Sequence, residues 1–345
     1  MGTWIVDRPT AHVYQDEVLP LIHFAHKAFL ASPKDMAINS AHSLAFHRGL
    51  GTPTASASVT PYTKYLNPDA IEFFSKVAYA KPNFSIVANG AEHSELSKWV
   101  GEFFESVPAS APESMAAQEQ TTYFGGEERI AHDGGNAIVL AFAGSSSATG
   151  KFYKPEISVL TSLLGGQSHI KWSPGFSLLA NAGAPGTQIK TTSAIYSDAG
   201  LIFTTITGNA EAVHDSAYAT VKAIQDVASG NVSKELIQKA KAAAKFAELE
   251  FGHDITAGIE LTGAGLVTGT GPYQIDEVAK KIDAVTEEQV KAVSLSFNVL
   301  TITQVLICNL RPPSRYSRPR HPSPQWVISS LCLMLMNLAS KCKYE

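Results

Sequence analysis

The apolar residues of the chain follow two periods, which predict helices and strands interleaved along the sequence. Strands are predicted where apolar and β-branched residues alternate, namely over 84–90, 121–133, 136–144 and a hairpin over 187–209. Helices are predicted where apolar residues recur every three or four positions, over 15–31, 34–48, 67–80, 94–104, 155–164, 210–228 and 233–251, with a short last helix from Thr286. Hairpins exclude a doubly wound parallel sheet, so the predicted fold class is α+β, a mixed α/β arrangement.

Helix-start signals and one linker divide this pattern. Asn67 and Ser233 are typical N-caps, and Pro68 suits the first helical position. The Pro/Ala/Ser-rich stretch 108–120 is the best candidate boundary. We therefore predict one domain within 1–107 and a second over 121–292.

Charge and cysteine content exclude several functions for the body of the chain. The net charge is −4, and residues 294–345 alone carry +5, which leaves −9 for the rest. An acidic body argues against nucleic-acid binding, which needs a basic surface. All three cysteines, Cys308, Cys332 and Cys342, lie in the last 38 residues, so neither a disulfide framework nor a cysteine-based zinc site is expected in the body. The most apolar run, 326–339, has 14 residues. That is shorter than the 17–25 or so that a membrane span needs.

The two halves carry a faint repeat that breaks near Val293. Helix 67–80 leads into strand 84–90, and the short helix from Thr286 should lead into a similar strand. Acids nearly vanish after Val293, while arginine and proline cluster. We therefore expect no matching strand and a disordered, aberrant tail over 293–345. A retained intron or a frame error near Val293 would explain it, since codons compatible with the sequence after Gln325 can encode a glycine-turned strand in another frame.

Motifs for common chemistries are missing from the sequence. No histidine begins H-x-x-E-H or H-E-x-x-H, and no P-loop or G-x-S-x-G motif occurs. His23 and His26 are three apart on a predicted helix, and His42 and His47 are five apart; both pairs are more typical of ordinary surface or core residues than of metal ligands. The glycine-rich stretch 263–271 follows a helical pattern and is interpreted as a connection, not a nucleotide loop.

One polar loop, "SLLGGQSHIKWSPG" over 162–175, is the candidate functional segment. Glycines after a helix favour its termination, Ser173 and Pro174 are suited to starting the next helix, and Trp172 is expected to cover a core edge. A structural turn is the favoured interpretation, and a peptide-contact surface is the alternative. The candidate residues are Gly165, Gly166, Lys171, Trp172, Pro174 and Gly175.

Four stretches resemble the fungal core-protein-2 family of the mitochondrial cytochrome b-c1 complex, a non-catalytic branch of the processing-peptidase and pitrilysin-like metallopeptidases. They are "EVLPLI" (17–22), "NSAHSLAFHRGLG" (39–51), "AYAKPNFSIVANGAEHSELSKWVGEFF" (78–104) and "SLLGGQSHIKWSPGFSLLANA" (162–182). The resemblance covers about residues 9–292. It implies tandem peptidase-like domains, each a mostly antiparallel sheet packed with helices, with the first domain incomplete because the chain starts in its middle.

The same resemblance implies a scaffold role without catalysis, cofactor or metal. Its implied partners are the homologous core protein 1 and other subunits of complex III, on the matrix side of the inner mitochondrial membrane and without a span of its own. The glycine loop corresponds to one that processing peptidases use near their substrate. Two alternatives remain: a subunit of a mitochondrial processing peptidase, or a truncated chain without a stable role.

Overall fold

The computed structural model describes residues 10–52, 67–110, 121–168, 172–173, 175–297 and 303–308. A five-stranded sheet organises them, with strand order β1-β5-β2-β4-β3. Only β1 and β5 run parallel; the other neighbours are antiparallel. The strands are β1 Gly126–Ala131, β2 Asn136–Ala143, β3 Gln188–Ile195, β4 Gly200–Gly208 and β5 Thr303–Cys308. The predicted α+β class with a mostly antiparallel sheet is confirmed.

Helices precede the sheet and cover it. Before β1 come a short helix Ala11–Val13 continued by a π-helical turn Tyr14–Val18, then α1 Leu19–Ala31, α2 Pro33–Phe46, α3 Pro68–Ala78 and α4 His93–Phe103, with 3-10 turns at Gly49–Gly51 and Lys81–Asn83. Between β2 and β5 lie α5 Pro155–Leu164, α6 Leu178–Ala182, α7 Ala210–Ser229, α8 Lys234–His253, α9 Ile255–Thr268, α10 Ile275–Asp283 and α11 Glu287–Ser296. Within the described ranges, no helix has the length and apolar character that crossing a bilayer requires.

The helix starts predicted at Asn67, Ser233 and Thr286 are confirmed by their capping contacts. The Asn67 side chain accepts a hydrogen bond from the Ala70 backbone N–H at 2.8 Å, and Ser233 accepts from Leu236 at 3.3 Å. Thr286 and Gln289 form a reciprocal capping box at the start of α11. Each cap satisfies a backbone donor that the first helical turn leaves without a partner.

The central strands of the sheet are buried on both faces, as β2 and β4 show. Residues of β2 alternate between two apolar clusters, so that Leu140 faces the layer formed by α5, α7, α8, α10 and α11 while Val139 faces α2. Both side chains are 1% exposed. Because successive side chains of a strand point to opposite faces, an almost continuous apolar run such as 137–142 fits a strand covered on both sides. Helix α2, which comes from the predicted first domain, therefore contributes to the core around this sheet.

The prediction that no strand follows the last helix is wrong. Strand β5 lies between β1 and β2, and its Val305 and Ile307 are fully buried. The helix before it also runs past the predicted boundary at 292, to Ser296. The β-branched sequence of β5 suits a central position, where both neighbours satisfy its backbone groups. The rest of the predicted tail, 298–302 and 309–345, lies outside the described residues. So do residues 111–120 of the predicted linker, and the domain division remains a prediction.

The predicted strand over 84–90 is also wrong. Residues 84–88 have no regular hydrogen-bonded structure and are followed by a bend. Their neighbour is helix α9: the Ser85 hydroxyl donates to the Gly263 carbonyl at 2.9 Å. Alternating apolar residues form a strand only beside a partner strand, and none pairs with 84–90 in the ranges that the structure describes.

Candidate functional site

The base of the candidate loop begins where α5 ends. Gly165 closes the helix, its N–H donating to the Thr161 carbonyl at 2.8 Å, as the sequence predicts. Its φ is +56°, a value that side-chain-bearing residues rarely adopt. A Cβ at this position would lie 2.4 Å from the Cβ of Ser177. Only glycine fits both the backbone conformation and the available space.

Gly166 brings the loop onto the edge of the sheet. It forms an isolated antiparallel bridge with Lys190 of β3. The flanking hydrogen bonds run from Gln167 N–H to the Ile189 carbonyl at 3.1 Å and from Thr191 N–H to the Gly165 carbonyl at 2.8 Å. A Cβ on Gly166 would stand 2.3 Å from the Ile189 carbonyl oxygen. The absence of a side chain thus allows this close approach to β3, the edge strand.

Ser177 closes the loop on its other side. Its hydroxyl donates to the Gly166 carbonyl at 3.1 Å and accepts from the Gly166 N–H at 3.2 Å. The next helix, α6, begins at Leu178, so the predicted start at Ser173 is wrong. The Ser173 hydroxyl instead accepts from the Gly175 N–H at 3.4 Å, within the loop. Side-chain hydrogen bonding inside a turn competes with helix capping for the same hydroxyl.

The tip of the loop projects its tryptophan into solvent. Trp172 is 91% exposed and has a φ of +69°, so the prediction that it covers a core edge is wrong. Gly175 also has a positive φ, +85°, and lies against Ser168. Lys171 and Pro174 lie outside the described residues. Of the six predicted residues, the structure therefore brings Gly165, Gly166 and Gly175 to the base of the loop and exposes Trp172.

The described part of the loop offers amide and hydroxyl groups but no carboxylate, so it contains no acid–base pair there. Across the described ranges, no three His, Cys, Asp or Glu side chains converge as metal ligands would. Of the histidines considered in the sequence, His42 donates its Nδ1–H to the Ile38 carbonyl at 2.8 Å and packs edge-on against Tyr196 and Phe203. His47 stacks on Phe124 with ring centres 4.5 Å apart. Both have core or surface packing partners.

Sequence patterns miss a polar cluster beside α8. The Tyr273 hydroxyl donates to the Glu248 carboxylate at 3.0 Å. Burial raises the pKa of Glu248 above its ordinary value. Burial, and secondarily the charge of Glu248, raise the pKa values of Tyr153 and Tyr273 far above the usual tyrosine range. The three residues are distant in sequence and share no motif, so only the packing of α8 against its neighbours brings them together.

Comparison with known proteins places this fold in a family. The Peptidase M16 inactive domain matches residues 65–244, just over half of the chain, and the chain belongs to that family. It is 42% identical over 285 residues to cytochrome b-c1 complex subunit 2 of Neurospora crassa, covering 82% of this chain and 62% of that protein. It is 28% identical over 301 residues to the Schizosaccharomyces pombe subunit of the same name, covering 86% of this chain and 66% of that protein. The chain thus spans about three-fifths to two-thirds of the length of these relatives.

The solved structures agree on the fold. A chain of complex III from Candida albicans, solved with Inz-5 bound, superposes with a TM-score of 0.66 over 86% of this chain and 72% of its own length. Its sequence identity is 17%, so this likeness speaks for the fold alone.

Proposed function

We propose that this protein is a non-catalytic core subunit of ubiquinol–cytochrome c reductase, respiratory complex III, and that it supports the assembly and stability of that complex. The observation that carries the proposal is the 42% identity with subunit 2 of the Neurospora crassa cytochrome b-c1 complex, maintained over 285 residues. The match to the Peptidase M16 inactive domain over residues 65–244 supports a structural role over a catalytic one.

The proposed partners are the homologous core protein 1 and other complex III subunits, on the matrix side of the inner mitochondrial membrane. Exposed apolar side chains on the surface suit such contacts. Large side chains of α3 and α4 are about half exposed, among them Phe73 at 54%, Phe74 at 65% and Trp99 at 49%. Subunit interfaces are enriched in aromatic residues, and obligate interfaces often bury more than about 2,000 Å².

In the proposed core subunit, the candidate loop serves as a structural turn. Backbone hydrogen bonds of Gly165 and Gln167 attach it to β3, and the Ser177 hydroxyl ties Gly166 to the other side of the loop, which is the arrangement of a fixed connection. The exposed Trp172 at its tip remains available as a contact residue for a neighbouring subunit.

The test is co-purification of the natural protein with complex III. Mitochondrial membranes are solubilised and separated on a native gel, and each band is searched by mass spectrometry for the peptide "YLNPDAIEFFSK" and for peptides of cytochrome b. We expect the two sets in the same band and in constant ratio across the gel. Protease treatment of mitoplasts, with and without detergent, then tests the matrix side. Peptides that migrate with a soluble peptidase activity, away from cytochrome b, would overturn the proposal.

A further inference from the structure

A cavity of about 410 Å³ lies between α8, α9 and the end of β3. Its volume falls within the range of small-molecule sites, roughly 300–1,000 Å³. The walls are largely apolar and include Phe251 of α8, Leu261 of α9 and Ile195 of β3. The polar groups are the Glu248 carboxylate, the hydroxyls of Tyr153 and Tyr196, and serine and threonine hydroxyls such as that of Ser158. Mostly apolar walls with a few polar groups are typical of sites that orient a ligand.

Glu248 brings an uncompensated carboxylate to this cavity. It accepts the Tyr273 hydroxyl at 3.0 Å, and no Lys, Arg or His of the described ranges forms an ion pair with it. Lys281, a nearby cation, lies 5.7 Å from the centre of the Tyr153 ring and lines a neighbouring depression instead. A partly buried carboxylate without a cation is costly, because desolvation disfavours its charged form.

Tyr153 supplies a second polar group to the cavity, and its hydroxyl oxygen has no hydrogen-bond partner among the described residues. Its hydroxyl is buried beside Ser158 but makes no hydrogen bond of normal geometry within the described part of the chain. Buried polar groups in native proteins are almost always satisfied, so such an atom at a cavity wall calls for a ligand or an ordered water. Its pKa, raised by burial, keeps the phenol neutral and able to accept a hydrogen bond.

We propose that the cavity binds a small organic cation: a primary ammonium group on an apolar body. The ammonium has three N–H donors, and the cavity wall offers three acceptors in Glu248, Tyr153 and Ser158. The apolar body packs against Phe251 and Leu261. A carboxylate ligand is disfavoured by repulsion from Glu248, and a neutral alcohol leaves the charge of Glu248 uncompensated. This site is separate from the proposed scaffold role and does not depend on it.

The test measures binding of three probes with one skeleton to the full chain at pH 7 by isothermal titration calorimetry. The probes are 2-phenylethylamine, 2-phenylethanol and phenylacetate. We expect the amine to bind about tenfold or more tighter than the alcohol, because a charge-assisted hydrogen bond adds to the shared apolar contact. Phenylacetate should bind weakest of the three.

Matched variants then locate the site. Glu248→Gln, nearly equal in shape, should remove the advantage of the amine over the alcohol. Glu250→Gln makes the same charge change at an exposed position two residues further along α8 and should leave it unchanged. Ala264→Leu, which adds volume at the cavity wall without changing charge, should weaken amine and alcohol alike. A thermal melt of each variant checks that it is folded.

Three results would each overturn the proposal: no binding of the amine at millimolar concentration, equal affinity for amine and alcohol, or an amine affinity that Glu248→Gln leaves unchanged. The first would mean that the cavity holds only water, and the other two that binding does not depend on the charge of Glu248.

Discussion

Gly166→Ala tests whether the candidate loop is held rigidly against the sheet. The new Cβ would lie 2.3 Å from the Ile189 carbonyl oxygen and 2.9 Å from the Cα of Lys190. Both are backbone atoms of β3, so no side chain can rotate away to relieve the overlap. The loop must therefore move off the strand.

The cost follows from the contacts that this movement breaks. Two backbone hydrogen bonds hold the loop to β3, Gln167 N–H to Ile189 and Thr191 N–H to Gly165. Each contributes on the order of 1 kcal/mol. We expect Gly166→Ala to lower the free energy of unfolding by about 2 kcal/mol, which also falls within the usual cost of about 1–3 kcal/mol for inserting a methyl group into a packed site.

Urea denaturation followed by far-UV circular dichroism measures this loss. The matched control is Gly258→Ala on α9, where an added Cβ meets nothing within 4 Å. In a helix interior this change should raise stability by about 0.5–1 kcal/mol, because alanine loses less backbone entropy on folding. If the free energy of unfolding of Gly166→Ala lies within about 0.5 kcal/mol of that of the unmodified protein, the loop moves off the strand at little cost and the steric argument is refuted.

Three further predictions concern the core, the loop tip and pH. Leu160→Ala should lower unfolding free energy by about 2–5 kcal/mol in urea, since this side chain is 1% exposed, whereas Leu249→Ala, at 37%, should cost clearly less. Trp172→Phe should change stability by less than about 0.5 kcal/mol while removing the emission of the more exposed of the two tryptophans in the described ranges, because the indole is 91% exposed. Burial raises the pKa of Glu248, so the folded state holds its proton more tightly than the unfolded state. Its contribution to stability should therefore fall as pH rises above about 4.3, and Glu248→Gln should gain stability relative to the unmodified protein between pH 4 and pH 7; equal pH profiles would contradict this.

Local signals made much of the secondary structure predictable. The caps at Asn67, Ser233 and Thr286 stand where the sequence places them, because a capping side chain bonds to a backbone group only two or three residues away. The hairpin predicted over 187–209 is formed by β3 and β4, which turn between Ile195 and Gly200. Each of these features depends on neighbours in sequence, so the residue pattern alone carries the information.

Predictions failed where the outcome depended on distant partners. Residues 84–88 have a strand pattern but lie beside α9, and β5 pairs with β1 and β2 although its composition suggested a tail. Trp172 is apolar yet exposed, because the loop tip brings no other part of the described chain over it. A strand needs a partner strand, and a buried side chain needs a surface to pack against. The local sequence pattern specifies neither.

By itself, then, the sequence determined the capped helix starts at Asn67, Ser233 and Thr286, the hairpin of β3 and β4, the mixed fold class and the glycine that ends α5. The caps, the hairpin turn and the glycine follow from interactions within a few residues. The tertiary structure decided the order of the strands, the packing of α2 on the second face of the sheet and the meeting of Tyr153, Glu248 and Tyr273. These features bring together residues that in several cases lie more than a hundred positions apart in the sequence. Glu248 becomes buried only when these distant elements pack together, and that burial raises its pKa.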